Sequence, residues 1–166
     1  LMIILKGTDP SSAAKAISLK ELGSIKLDKE ETKKTLKTIP RSSIIGFIVG
    51  VLPGAGSTIA SFLAYGMERN FVSKEEKEKF GKGSVHGLAA PETANNAACS
   101  GSFVPLLTLG IPGSGTTAVM LGALLGFGIQ PGPRLYMTNP EIFWSVIMSM
   151  YIGMVILLIL NVPLIP

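Results

Sequence analysis

Only Glu92, Arg134 and Glu141 carry formal charge between residue 83 and residue 166. A water-facing surface cannot be built with so few charges, so this half of the chain must be covered by lipid or by protein. The rest of the charge is concentrated. Of the 15 Lys and Arg, nine lie within residues 6–41 and five within residues 69–82. Both stretches are short enough for the positive-inside bias to act, which places both on the cytoplasmic side. Residues 6–41 also carry five acidic side chains and no aromatic ones. That composition excludes nucleic acid as the partner of the basic stretch.

The chain divides accordingly. Residues 1–43 read as the end of a membrane helix, the apolar residues 1–5, followed by a cytoplasmic basic loop. Within that loop, Ser11-Ser12 before Ala13-Ala14-Lys15-Ala16-Ile17 predicts a capped surface helix. Residues 44–166 read as the transmembrane transport region, one half of a larger subunit. Residues 68–82 read as a charged loop, and its run Lys74-Glu75-Glu76-Lys77-Glu78-Lys79 as a solvated helical turn. Residues 142–162 predict a spanning helix, entered through Asn139-Pro140 and anchored at the interface by Trp144. Gly46 and Gly50 have the spacing of a small-residue packing face.

Two apolar stretches are interrupted, and the interruptions are copies. Leu52-Pro53-Gly54-Ala55-Gly56-Ser57-Thr58 matches Ile111-Pro112-Gly113-Ser114-Gly115-Thr116-Thr117 at an offset of 59 residues. Breaks of this kind survive in a membrane only inside protein or beside a polar cavity, because the freed backbone groups need partners. Each break is followed by a hydroxyl pair, Ser57-Thr58 or Thr116-Thr117. A helix restarting there offers unpaired N–H donors and partial positive charge, and glycine lets a ligand approach the backbone. The pattern predicts a carboxylate cradle built from Pro53, Gly54, Gly56, Ser57, Thr58, Pro112, Gly113, Ser114, Gly115, Thr116 and Thr117. Thr58 and Thr117 hold equivalent repeat positions and are expected to matter equally. Glu92, Asn95 and Asn96 stand out as candidate coupling residues within a run of small side chains. The expected architecture is an all-α polytopic membrane protein. It has a re-entrant hairpin over residues 44–65 and a broken helix over residues 103–129, within an internally repeated transporter fold.

Other chemistries fit poorly. The second motif resembles a P-loop, but Thr116 stands where the lysine belongs. Cys99 and His86 alone make no metal site, so no metal is expected. An intramembrane protease would need an aspartate pair or a dyad such as Ser57 or Ser114 with His86; Asp9 and Asp28 both lie in the polar loop. A channel is the remaining alternative.

Four stretches carry a family resemblance. They are GFIVGVLPGAGSTIASFLAY from residue 46, FGKGSVHGLAAPETANNA from residue 80, PLLTLGIPGSGTTAVMLGALLGFGIQPGP from residue 105, and the tail NPEIFWSVIMSMYIGMVILLILNVPLI. Together they resemble the large membrane subunit of the tripartite tricarboxylate transporters, in part of its second half. The resemblance implies a multi-pass secondary transporter of the bacterial inner membrane. It would import organic acids such as citrate with Na⁺ or H⁺. Its implied partners are a small membrane subunit and a periplasmic solute-binding protein, with no cofactor beyond a coupling ion.

Overall fold

The computed structural model describes residues 27 to 164. The apolar run at residues 1–5 and the helix expected after Ser11-Ser12 lie outside the described residues. Every regular element among the described residues is a helix.

Helix α1 spans Lys29–Val51. Asp28 caps it, and the cap is reciprocal: the Asp28 carboxylate accepts at the helix start while Glu31 accepts from the Asp28 N–H at 3.0 Å. Such a box is worth about 1 kcal/mol and fixes where the helix begins. The polar stretch after Lys29 is therefore not a loop. It is the first half of α1, and the boundary expected between residues 43 and 44 falls inside this helix. Pro40 interrupts only one backbone bond, and the helix passes through it.

Helix α1 ends at Leu52, and Pro53-Gly54-Ala55 turn the chain. Gly54 sits at φ +79°, a left-handed conformation that costs other residues about 1–2 kcal/mol. Helix α2, Gly56–Phe71, then runs back antiparallel to α1, since Thr38 and Arg41 of α1 meet Glu68 near the far end of α2. Glu68 was expected in a charged loop. It lies in α2 and is only 2% exposed. The charged run forms α3, Lys74–Glu78, with no buried residue, as a solvated turn should.

Helix α4, Val85–Gly101, is the centre of the fold and packs on both arms of the hairpin. Its run of small residues gave no helical periodicity of large apolar side chains, yet it forms the core. The reason is a register of small residues one turn apart. Thr38, Ser42, Gly46 and Gly50 on α1 are buried, as are Ala60, Ala64 and Glu68 on α2, and His86, Ala90, Ala94 and Ala98 on α4. A Cβ at Gly46 would overlap the Ala94 carbonyl, and one at Gly50 the Ala98 carbonyl. These helices therefore meet backbone to backbone, which is how helices pack where lipid removes the hydrophobic drive.

The second interrupted stretch forms α5, Phe103–Leu109, and α6, Gly115–Gly126. Gly110 closes α5 in the left-handed region at φ 72°. The two pieces do not stack end to end. The break folds back until the Cβ position of Gly113 lies 2.9 Å from the Ser102 side chain, at the start of α5. A short helix α7, Leu135–Thr138, leads into α8, Pro140–Leu164. The 22 residues Pro140–Asn161 have mean hydropathy 2.4 and bury nothing, so α8 is long and apolar enough to cross a membrane.

Candidate functional site

The two Pro-Gly breaks lie at one end of the α1–α2–α4 core. Gly101 packs against the Phe47 carbonyl and the Gly50 backbone, and Gly113 packs against Ser102 and the Gly50 carbonyl. Gly50 is in the last turn of α1, three residues before Pro53. The second break is thus seated on the entry to the first.

The two restarts differ in capping. At α6, Ser114 caps the helix: its hydroxyl accepts from the Thr117 N–H at 3.3 Å, and the Thr117 hydroxyl accepts from the Ser114 N–H at 2.8 Å. The Thr117 hydroxyl also donates to the Ser114 carbonyl at 2.9 Å. Thr117 is 1% exposed, so its hydrogen-bonding capacity is spent inside the turn. At α2, Ala55 occupies the cap position and no side chain bonds the first amides. Ser57 there is half-buried and Thr58 exposed. Equivalence in the repeat is therefore not equivalence in surroundings. Thr58 is open where Thr117 is closed. Gly115 and Thr116 are exposed on the first turn of α6, and a Cβ on Gly54, Gly56 or Gly115 would meet nothing within 4 Å.

Thr58 lines a groove between α2 and α4 with Ser61, Tyr65, Pro91 and Asn95. Ser61 donates to the Pro91 carbonyl at 3.1 Å and ties the two walls. Of the three candidate coupling residues, only Asn95 reaches this groove. Glu92 and Asn96 are exposed, and Asn96 bonds the Glu92 backbone carbonyl at 2.9 Å rather than its carboxylate. The cavity between α5 and α8, lined by Phe103, Val104, Leu107, Phe143 and Ile147 among others, is almost wholly apolar and unsuited to a carboxylate.

At the other end of the core is a polar cluster that the sequence reading missed. Glu68 Oε1 accepts from Thr38 Oγ1 at 2.8 Å and from Arg41 Nη2 at 2.6 Å, and lies 3.0 Å from His86 Nδ1. Arg41 Nε also donates to Glu68 Oε2 at 3.2 Å, completing a fork. Thr38 Oγ1 is 2.7 Å from His86 Nδ1. One signal was available in the sequence: Glu68 continues the four-residue series of Ala60 and Ala64, and His86 begins that of Ala90, Ala94 and Ala98. This placement also removes the serine–histidine dyad. His86 stands at the start of α4, about 24 Å along that helix from Ser102 and Gly113, and its Nδ1 faces Thr38 and Glu68.

Outside the core, Lys34 of α1 bonds Glu76 of α3 at 3.1 Å and Glu30 at 2.8 Å. Lys79 and Lys34 hold the Glu76 carboxyl below the ordinary glutamate range, and Glu30 and Glu76 raise the Lys34 ammonium.

The small-residue interior is matched by an inverted exterior. Phe62 is 76% exposed, Phe127 82% and Val119 76%, and most of α8 is uncovered. Small residues inside and large apolar ones outside, with helices broken by proline and glycine, define a helical membrane protein with discontinuous segments. The chain belongs to the tripartite tricarboxylate transporter TctA family, which matches it over residues 2–166; this is a family of membrane transporter subunits. It is 44% identical over 149 residues to an uncharacterized 52.8 kDa protein in the TAR-I ttuC' 3' region of Agrobacterium vitis, covering 90% of this chain and 29% of that one. It is 51% identical over 120 residues to an uncharacterized protein in the TAR-II ttuC' 3' region of the same organism, covering 72% of this chain and 49% of that one. The chain thus spans half or less of the curated relatives it matches. No solved structure matches it.

Proposed function

We propose that this chain forms part of the substrate path of a multi-pass secondary transporter that imports organic acids across the bacterial inner membrane. The observation that carries this reading is the seating of Gly113 on Gly50, which puts both Pro-Gly breaks at one end of the core. A di- or tricarboxylate has two charged ends, and two adjacent helix restarts offer two sets of amide donors. The uncapped start of α2, with Gly54, Gly56, Ser57 and Thr58, is the more open cradle. On the second break, Gly115 and Thr116 present donors, while Pro112, Gly113, Ser114 and Thr117 shape the turn.

The α1–α2 hairpin is the re-entrant element in this reading. From Arg41 to Val51 and from Gly56 to Glu68 each arm is about 15–20 Å long, enough to reach the middle of a ~30 Å core. The basic start of α1 and the α3 region then lie on the cytoplasmic side. A small membrane subunit and a periplasmic solute-binding protein complete the transporter, and Na⁺ or H⁺ drives it.

The deciding experiment is uptake of labelled citrate and other organic acids by cells expressing the full-length subunit, with and without the binding protein. Uptake is expected only when the binding protein is present. Uptake that persists unchanged without it would instead support a channel.

A further inference from the structure

The cluster of Thr38, Arg41, Glu68 and His86 takes no part in the proposed carboxylate cradle, yet it holds the most deeply buried acid among the described residues. Its hydrogen bonds assign its protons. Thr38 Oγ1 has one proton and three acceptors in range: the Lys34 carbonyl at 3.0 Å, Glu68 Oε1 at 2.8 Å and His86 Nδ1 at 2.7 Å. His86 Nδ1 and Glu68 Oε1 are 3.0 Å apart. Were Nδ1 bare, two lone pairs would face each other, with only the threonine proton to share among them. A proton on Nδ1, within reach of both Glu68 Oε1 and Thr38 Oγ1, gives every one of these contacts a donor, so the geometry favours that tautomer. That leaves Nε2 as the atom that gains or loses one. An open pocket lined by Lys34, Lys37, Arg41, Ser73, Glu76 and His86, among others, leads from solvent to this ring.

We propose that the Glu68–His86 pair is a proton-binding site that links the packing of the α1–α2 hairpin on α4 to pH, and that this pair, rather than Glu92, makes uptake depend on pH. The inference rests on the transport reading above. The groups facing the ring come from every neighbouring helix. They are the Lys34 carbonyl and the Arg41 side chain of α1, Glu68 of α2, and, across the open pocket, Glu30, Lys33 and Lys37 of α1 with Glu76 of α3.

With Nε2 bare, the cluster holds Arg41 and Glu68 as one balanced pair beside a neutral ring. A proton on Nε2 makes the ring an imidazolium, and its Nδ1–H to Glu68 becomes a charge-assisted bond between α4 and α2. The proton is taken from the pocket and returned to it; no covalent bond is involved. The other end of the core feels the change because α1 and α4 touch through backbone at Gly46–Ala94 and Gly50–Ala98. A tilt of α4 there cannot be absorbed by side-chain rotation, so it reaches Ser102 and Gly113 at the cradle. By linkage, a carboxylate that favours one packing must shift proton affinity by the same factor. Glu92 lacks this connection, since its side chain is on the exposed face of α4.

The test has two arms. In the first, the purified full-length subunit with ¹⁵N-labelled histidine is titrated without any carboxylate, across the range of about pH 5 to 8 in which histidines change charge. The His86 resonance is identified by its loss in His86→Asn, which keeps a donor near the Nδ1 position; His86→Gln serves where that variant does not assemble. The signal is expected to pass between two charge states in that range, and to respond differently to pH in Glu68→Gln, where the ring lacks its carboxylate partner. A ring with one charge state throughout, or an unchanged midpoint in Glu68→Gln, overturns the proposal. In the second arm, citrate uptake by the reconstituted transporter is followed against pH. His86→Asn is expected to lose the pH dependence and Glu92→Gln to keep it. A wild-type profile in His86→Asn overturns the proposal. If the wild-type transporter imports no organic acid, the carboxylate reading alone fails, and the first arm still decides the proton site.

Discussion

Thr38 of α1 and His86 of α4 lie side by side at 2.7 Å, 48 residues apart in sequence, and the same offset relates Gly46 to Ala94 and Gly50 to Ala98. Helices α1 and α4 therefore run parallel in one register from the polar cluster to the Pro-Gly breaks.

Gly46→Ala is expected to destabilise the fold by about 1–3 kcal/mol, since its Cβ would meet the Ala94 backbone, which has no rotamer to yield. Gly66→Ala is the contrast. It lies mid-helix in α2 with nothing within 4 Å of its Cβ, and is expected to stabilise by about 0.5–1 kcal/mol. Unfolding of both variants in detergent checks the pair; equal effects would mean that α1 and α4 are not in backbone contact.

Thr58→Ala is expected to weaken carboxylate binding by about 1.5–3 kcal/mol, roughly ten- to over a hundredfold, with little change in stability. Thr117→Ala is expected to act on folding instead, at about 1–2 kcal/mol, because its hydroxyl closes the Ser114 turn. Substrate affinity and thermal stability, measured on the same preparations, separate the two.

Gly115→Ala tests whether a ligand approaches the second break. Its backbone is ordinary and its Cβ has free space, so the fold should tolerate the change. A loss of affinity at unchanged stability is the expected result. Gly113→Ala cannot serve, because its Cβ would collide with Ser102 and the Gly50 carbonyl whether or not a ligand binds there.

The tie between α3 and α1 should weaken in acid. Lys79 and Lys34 lower the Glu76 carboxyl, so its contribution is complete above the ordinary glutamate value of 4.5 and is lost as pH falls through the lowered one. Hydrogen exchange in α3 should rise over that acidic window in the native protein. In Glu76→Gln it should already be fast at neutral pH, and identical profiles for the two would remove Glu76 from the tie.

A cysteine at Lys77 should resist impermeant reagents added to intact cells and react once the cytoplasmic side is opened to them. Labelling from the periplasm would invert the hairpin.

How much of this was legible in the sequence depends on what each feature requires. The helix breaks at Pro53 and Pro112, the exposed charged turn at residues 74–79 and the apolar helix beginning at Pro140 are local consequences of residue type, and the sequence alone determined them. Proline removes a donor, glycine permits positive φ, and an unbroken apolar run has one use in a membrane. The central position of α4 was not legible, because alanine and glycine produce no hydrophobic periodicity; they matter only when another backbone comes close enough to need their small size. The burial of Glu68 against Thr38, Arg41 and His86 was hidden for a related reason, as its partners lie 18 to 30 residues away and become neighbours only when the hairpin closes on α4. The repeat in the sequence predicted two similar restarts, but tertiary structure made them different. Seating Gly113 on Gly50 closes one restart around Ser114 and Thr117 and leaves Gly115 and Thr116 exposed on its first turn, while the other restart has no side-chain cap at all. Local chemistry set where the chain bends and which restart carries its own cap, and long-range packing decided how much of each bend stays open.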